Sequence, residues 1–226
     1  MEILDGKIMD MTPEGLTILV PVASWERVCL RRYDVVQVGL PDGRAISLKQ
    51  RKKAHACLRE IADWVGDTPE CIKRLMKLEF VQTRLEALEK EIFSLSNCDV
   101  TTAREFITYL IDFMVEHAVP SKVPLYDLCE DISRYVYACL MYKQCAVCGA
   151  RRSDLHHFDQ IGMGSNRNDV MQIGMRVISL CRTCHAKAHD KGKTWLTEDL
   201  HLPPIPLTDE IARKYKLTKK NRGITS

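Results

Sequence analysis

The chain has 226 residues, 46% apolar and 28% charged, a globular composition with room for one large or two small domains. It holds no apolar run of about 18 residues, which argues against a helical membrane span. Acids at Glu2 and Asp5 and the lack of a basic leader region predict no secretory signal, and so a cytoplasmic protein. Thiols stay reduced there, so the ten cysteines read as four metal ligands and six free thiols rather than as disulfides. The net charge of +3 is unevenly divided. Residues 144–226 carry 14 Lys and Arg against 8 Asp and Glu, or +6, while residues 1–143 carry 19 against 22, or −3. A basic C-terminal part suits a polyanion, although a mildly basic solvated surface would give the same count.

In chain order, residues 3–9 and 16–22 read as strands. Residues 35–40 and 45–48 flank the tight-turn sequence 41–44 and predict a hairpin. Arg27, Arg31 and Arg32 cluster on one short segment and are candidate DNA contacts, with a plain solvated face as the alternative. Ser47 is placed to cap a helix that runs to Val65 and ends at Gly66. Its basic run, Lys49, Arg51, Lys52 and Lys53, is either a second set of DNA contacts or the helix's wet face. Thr68 and Pro69 open the next helix. Residues 102–105 have the pattern of a capping box ahead of a helix to about His117. A further helix is predicted over residues 125–142. Cys57, Cys71, Cys129 and Cys139 fall in these helical patterns and are expected in the core.

A domain boundary is expected near Lys143, dividing residues 1–143 from 144–226. Beyond it Cys145 and Cys148 form one C-x-x-C pair, and Cys181 and Cys184 a second. Each tight turn aims two thiolates at one centre, and two pairs together predict a tetrahedral structural zinc site. Four buried free cysteines are the alternative. Four sulfurs fill such a site, so His156, His157, His185 and His189 are surplus to it. A helix over residues 182–191, stopped by Gly192, puts His185 and His189 on one face. With one histidine of the 156–157 pair they make three ligands and leave a position open, the layout of a catalytic metal. Surface histidines on a zinc finger are the competing reading. Past Gly192, residues 202–206 read as extended, Thr208 caps a short helix, and the tail from Lys216 is expected to be loose.

This order of C-x-x-C, His-His and L-C-x-x-C-H-x-x-x-H resembles the HNH nucleases. The resemblance implies a ββα-metal fold on a four-cysteine zinc knuckle. Residue by residue, it implies structural zinc on Cys145, Cys148, Cys181 and Cys184. It implies a catalytic divalent ion, such as Mg²⁺, Mn²⁺ or Zn²⁺, on His156, His185 and His189, with His157 as general base. One position departs: where the family carries the Asn that orients the base, this chain has Arg176. Asn166 or Asn168 as its replacement, and Arg176 as a group that holds a phosphate, are the alternatives.

Residues 1–143 resemble, more diffusely, the Orf/NinB-like phage recombination mediators, through the early strands, the 47–64 helix and the stretch 101–117. That resemblance implies a homodimer that binds single-stranded DNA, works with single-strand binding protein and a host recombinase, and acts in a bacterial host cytoplasm if phage-encoded. The expected fold class is α+β: a small N-terminal sheet with helices, then a zinc-bound ββα-metal domain. The expected function is a recombination protein that binds DNA, single-stranded by preference and possibly duplex, and carries an HNH endonuclease. The alternatives are a mediator whose zinc domain only binds DNA, and a zinc ribbon that recruits a protein.

Overall fold

The computed structural model describes residues 7–20, 44–83, 93–159, 170–192, 194–218 and 220–223. Arg27, Arg31, Arg32, Asn166, Asn168 and residues 35–43 of the predicted 35–48 hairpin lie outside them; of its second strand, 45–48, Ala45 instead bridges Asp99 and Leu48 already begins a helix. The fold is α+β. An antiparallel hairpin, β1 (Lys7–Thr12) and β2 (Gly15–Leu19), precedes a helical layer. Helices α1 (Leu48–Val65), α2 (Pro69–Thr83) and α3 (Val100–His117) form that layer. Then come a single turn α4 (Leu125–Leu128) and the helix α5 (Ile132–Tyr142).

Local chemistry sets these boundaries. Ser47 accepts the Gln50 backbone N–H, and Gln50 Oε1 accepts the Ser47 N–H, closing a capping box at α1. The helix ends on Gly66 at φ +82°, a left-handed conformation that costs glycine little. Two expectations are corrected. Asp99, not Thr102, caps α3 by accepting the Thr102 N–H, so the 102–105 box lies inside the helix. The predicted 125–142 helix is two pieces, because Asp131 caps a fresh start at α5.

The core begins among α1, α2 and α3. Phe106, fully buried on α3, has Phe80 and Phe93 edge-on at centroid distances of 5.3 and 5.2 Å. Cys57 and Cys139 are buried as expected, and burial pushes each thiol up to about 12, so both are inert packing groups. Cys71, expected in the core, is exposed instead. One polar cluster joins α1 to the 128–131 turn: Lys53 Nζ pairs with Glu130 at 2.7 Å and donates to the Cys129 carbonyl at 3.0 Å.

Helix α5 carries the core into the C-terminal part. Its face packs on β4 (Arg176–Leu180), and buried side chains run continuously from α1 through Val136 and Leu140 to Val177, Ile178 and Leu180. A three-stranded antiparallel sheet, β3 (Asp154–His157), β4 and β5 (Ile205–Pro206), is followed in space by α6 (Arg182–Lys191) and α7 (Asp209–Lys214). The tail is not loose throughout, as the sequence suggested. Lys220–Arg222 form a helical turn, and Asn221 is 2% exposed. Among the described residues no helix is long and apolar enough to cross a membrane.

Replacing Phe106 with Ala should remove about 3–5 kcal/mol of unfolding free energy, through lost burial and a cavity that the Phe80 and Phe93 rings cannot refill. Urea denaturation of the metal-loaded protein measures this, and a loss below about 1 kcal/mol would show that the aromatic cluster is not central.

Candidate metal centre

Helix α5 ends at Lys143 with φ +51°, and its cap N–H reaches back to the Cys139 and Leu140 carbonyls. The chain therefore reverses directly into the first cysteine turn. The Cys145 N–H donates to the Ala150 carbonyl at 2.8 Å, and the Gly149 N–H to the Cys145 carbonyl at 2.9 Å. Gly149 takes φ +72°, which favours glycine, and a Cβ there would stand 3.3 Å from Gln144 Nε2, so that side chain would have to give slightly. The second pair opens α6. Cys181 is its N-cap, with Sγ accepting the Cys184 N–H at 3.5 Å, and the His185 N–H donates to the Cys181 carbonyl at 2.7 Å. The two turns are joined through β4, where the Ala146 N–H donates to the Ser179 carbonyl at 2.9 Å. Tyr135 of α5 donates its buried hydroxyl to the Ala146 carbonyl at 2.8 Å.

This scaffold gathers the sulfurs of Cys145, Cys148, Cys181 and Cys184 within 4.8 Å of one another, with Cys148 and Cys181 3.6 Å apart. Zinc bonded to four thiolates at ~2.3 Å in a tetrahedron sets its sulfurs ~3.8 Å apart, so the cluster fits such an ion. Its electrostatics agree. Burial pushes Cys145 up to about 11 and raises Cys184 further, because a buried thiolate without a cation is costly. At Cys181 burial also raises the pKa, but the Cys184 N–H and the neighbouring thiols outweigh it and the net shift is downward.

The imidazoles form a second cluster. Strand β3 pairs His156 with Ile178 and His157 with Val177 on β4. Adjacent strand residues face opposite sides. Thus His156 turns inward, buried at 8% exposure, toward His185 and His189 on one face of α6. The ring centroids of His156 lie 4.6 Å from His185 and 5.2 Å from His189, and the His185 and His189 rings stack at 4.9 Å. Their nitrogens lie within 4.8 Å of one another, which suits a divalent ion bound by three imidazoles. His157 turns to the other side and is half-buried. Its Nε2 lies 2.9 Å from Gln172 Oε1. The Nδ1 atoms of His156 and His157 are both covered from bulk solvent.

Arg176 is placed differently from what the family pattern suggests. Its Nη2 and Nε reach Asp159 Oδ1 at 2.6 and 3.0 Å, and its backbone N–H donates to Asp159 Oδ2 at 2.7 Å. Its guanidinium also lies 4.9 Å from the Phe158 ring centroid. These contacts fasten the end of β3 to the start of β4. Among the described residues, Gln172 lies at hydrogen-bond distance from His157, and sequence patterns missed it. No motif spacing points there, because the bond depends on how the chain returns into β4.

Of the basic run on α1, Lys49 and Lys52 are exposed, Arg51 Nη2 donates to the Ser96 carbonyl, and Lys53 is the group paired with Glu130. A broader basic face spans α1 and α2. Burial lowers the pKa of His55, and Lys73, Arg59, Arg51 and Lys77 lower it further. Arg59, Lys73 and Lys77 were not singled out from sequence, since they come together only when the two helices pack.

Compared with known families, residues 29–218 match the family described as "Putative HNHc nuclease". That is well over half of the chain. The chain belongs to this HNH nuclease family. The match runs from the region before α1 to the tail, so the family unit includes the helical layer as well as the metal centre. No curated protein and no solved structure matches the chain. The resemblance of residues 1–143 to Orf/NinB-like mediators finds no support in these comparisons.

Cys181→Ser should cost the protein its zinc and its folded C-terminal part. Structural zinc contributes ~10–16 kcal/mol in small modules, far more than a domain's usual margin. Metal analysis and circular dichroism of the purified variant check this, and a folded variant with full zinc content would rule out the assignment.

Proposed function

We propose that the chain is an HNH-type, metal-dependent DNA endonuclease. The observation that carries this reading is the three-imidazole cluster of His156, His185 and His189 beside, and separate from, a complete four-sulfur cluster. A module built only to fold around zinc has no use for three further converging ligands. Membership of the HNH nuclease family supports the same conclusion.

In this reading Cys145, Cys148, Cys181 and Cys184 hold structural zinc, and His156, His185 and His189 hold a catalytic divalent ion such as Mg²⁺, Mn²⁺ or Zn²⁺. When bound, that ion supplies positive charge to the scissile phosphate and to the leaving 3′-oxygen. His157 is the base. It must be neutral to work, as imidazole is near pH 7, and its Nδ1 receives the proton of the attacking water. Nδ1 is covered from bulk solvent, so this reading requires substrate binding to bring the attacking water to it. His156 and His157 divide binding and proton transfer because strand alternation sends neighbouring side chains to opposite faces. Arg176, whose side chain is 52% exposed, would hold a phosphate oxygen only by exchanging Asp159 for it.

DNA would also be gripped away from the centre. The exposed Lys49 and Lys52, with the basic face around His55, offer cations for backbone phosphates. The boundary at Lys143, with residues 1–143 gripping DNA and 144–226 cutting it, is part of the proposal. A recombination setting, with single-stranded DNA, single-strand binding protein, a host recombinase and a homodimer, rests on the Orf/NinB resemblance alone.

Plasmid nicking with Mg²⁺, Mn²⁺, Ni²⁺ or Zn²⁺ tests the endonuclease. Wild type should nick with at least one ion, and His157→Ala should lose about 100-fold or more while keeping its structural zinc, in the range usual for a general base. Equal behaviour of the two proteins in every ion would dismiss the nuclease and leave a domain that only binds DNA or a protein.

A further inference from the structure

We infer that Gln172 positions the base: it fixes which nitrogen of His157 carries the proton, and the C-terminal tail holds Gln172 in place. The inference rests on the role proposed for His157 and adds a residue that no motif marks.

A side-chain amide oxygen can only accept, so the 2.9 Å contact of Gln172 Oε1 with His157 Nε2 requires a proton on Nε2. A neutral imidazole then has its lone pair on Nδ1. Without an acceptor at Nε2 the ring would divide between two tautomers, and only one of them has a basic Nδ1. Gln172 thus does for a catalytic imidazole what a carbonyl or carboxylate does for many metal-bound ones.

The acceptor is built in on several sides. Gln172 is 3% exposed. Its backbone N–H donates to the Asn221 carbonyl at 2.7 Å, and the Met175 N–H donates to its own carbonyl at 3.0 Å. Asn221 Nδ2 in turn donates to the Val170 carbonyl at 2.9 Å, so one tail residue grips the segment on both sides of Met171. Asn221 is itself held. Its N–H donates to Thr218 Oγ1 at 3.2 Å, and that hydroxyl donates to Asn221 Oδ1 at 2.7 Å. The order of support runs from Thr218 to Asn221 to Gln172 to His157, from the tail to the centre.

The test uses the full-length, zinc-loaded chain with ¹⁵N-labelled histidine, and compares wild type with Gln172→Met and Gln172→Glu. Methionine keeps the volume and removes the acceptor; glutamate keeps an acceptor. Long-range ¹H–¹⁵N spectra at neutral pH read the His157 tautomer directly. Wild type and Gln172→Glu should show His157 protonated on Nε2. Gln172→Met should show a tautomer mixture, with the His185 and His189 signals and the zinc content unchanged. Nicking should fall roughly 10- to 100-fold in kcat for Gln172→Met with KM moved less than twofold, and Gln172→Glu should recover most of it. Asn221→Ala should shift the spectrum the same way by a smaller amount, which covers the case in which the methionine variant misfolds. A wild-type His157 protonated on Nδ1, or a tautomer unchanged in both Gln172→Met and Asn221→Ala, would overturn the inference. If wild type nicks nothing in any metal, the nuclease reading falls while the spectra still decide whether Gln172 sets the tautomer.

Discussion

The structure depends on the convergence of four thiols at one point. Two short turns, far apart in the chain, bring their sulfurs within 4.8 Å of one another in a partly buried place where free thiolates are strongly disfavoured. A cation bound there would turn that arrangement from a cost into a stabilising interaction of the C-terminal part. Cys181 shows how closely the two levels are joined. Its sulfur belongs to the cluster and also caps α6, the helix that carries His185 and His189. The helix that presents the imidazoles therefore starts at the four-sulfur cluster itself.

From that anchor the imidazole cluster follows with few further requirements. The bond between Ala146 and Ser179 ties the first knuckle to β4, β4 sets the register of β3, and the register turns His156 inward and His157 outward. Arg176 and Asp159 close the far end of the strand pair. An ion pair with a side chain half exposed on the Arg side contributes little to stability by itself. Its one backbone contact, the Arg176 N–H on Asp159 Oδ2, serves geometry instead, fixing where β3 stops just past His157.

Much of the centre was legible in the sequence because its spacing is local. C-x-x-C pairs, an i, i+4 histidine pair and a Gly192 stop are each confined to a few residues, and the structure has α6 over the predicted span. Capping at Ser47 and Thr208 was legible for the same reason. The 102–105 box misled because a capping pattern has no knowledge of a better acceptor upstream, and Asp99 was that acceptor. Gln172 and Asn221 were invisible. Their roles come from a return of the chain over tens of residues, and isolated Gln and Asn carry no periodic signal. The tail was misjudged on composition: Lys219, Lys220 and Arg222 look solvated, yet the residue among them, Asn221, is buried.

Helix α5 belongs to two neighbourhoods at once. Val136 and Leu140 continue the core of the helical layer, while the same helix packs on β4 and sends Tyr135 to the first knuckle. Excising residues 144–226 as a portable module would thus leave a greasy scar on the sheet and an orphaned carbonyl at Ala146. Any graft onto another scaffold has to take α5 along, and the useful cut lies before Asp131 rather than at the first cysteine.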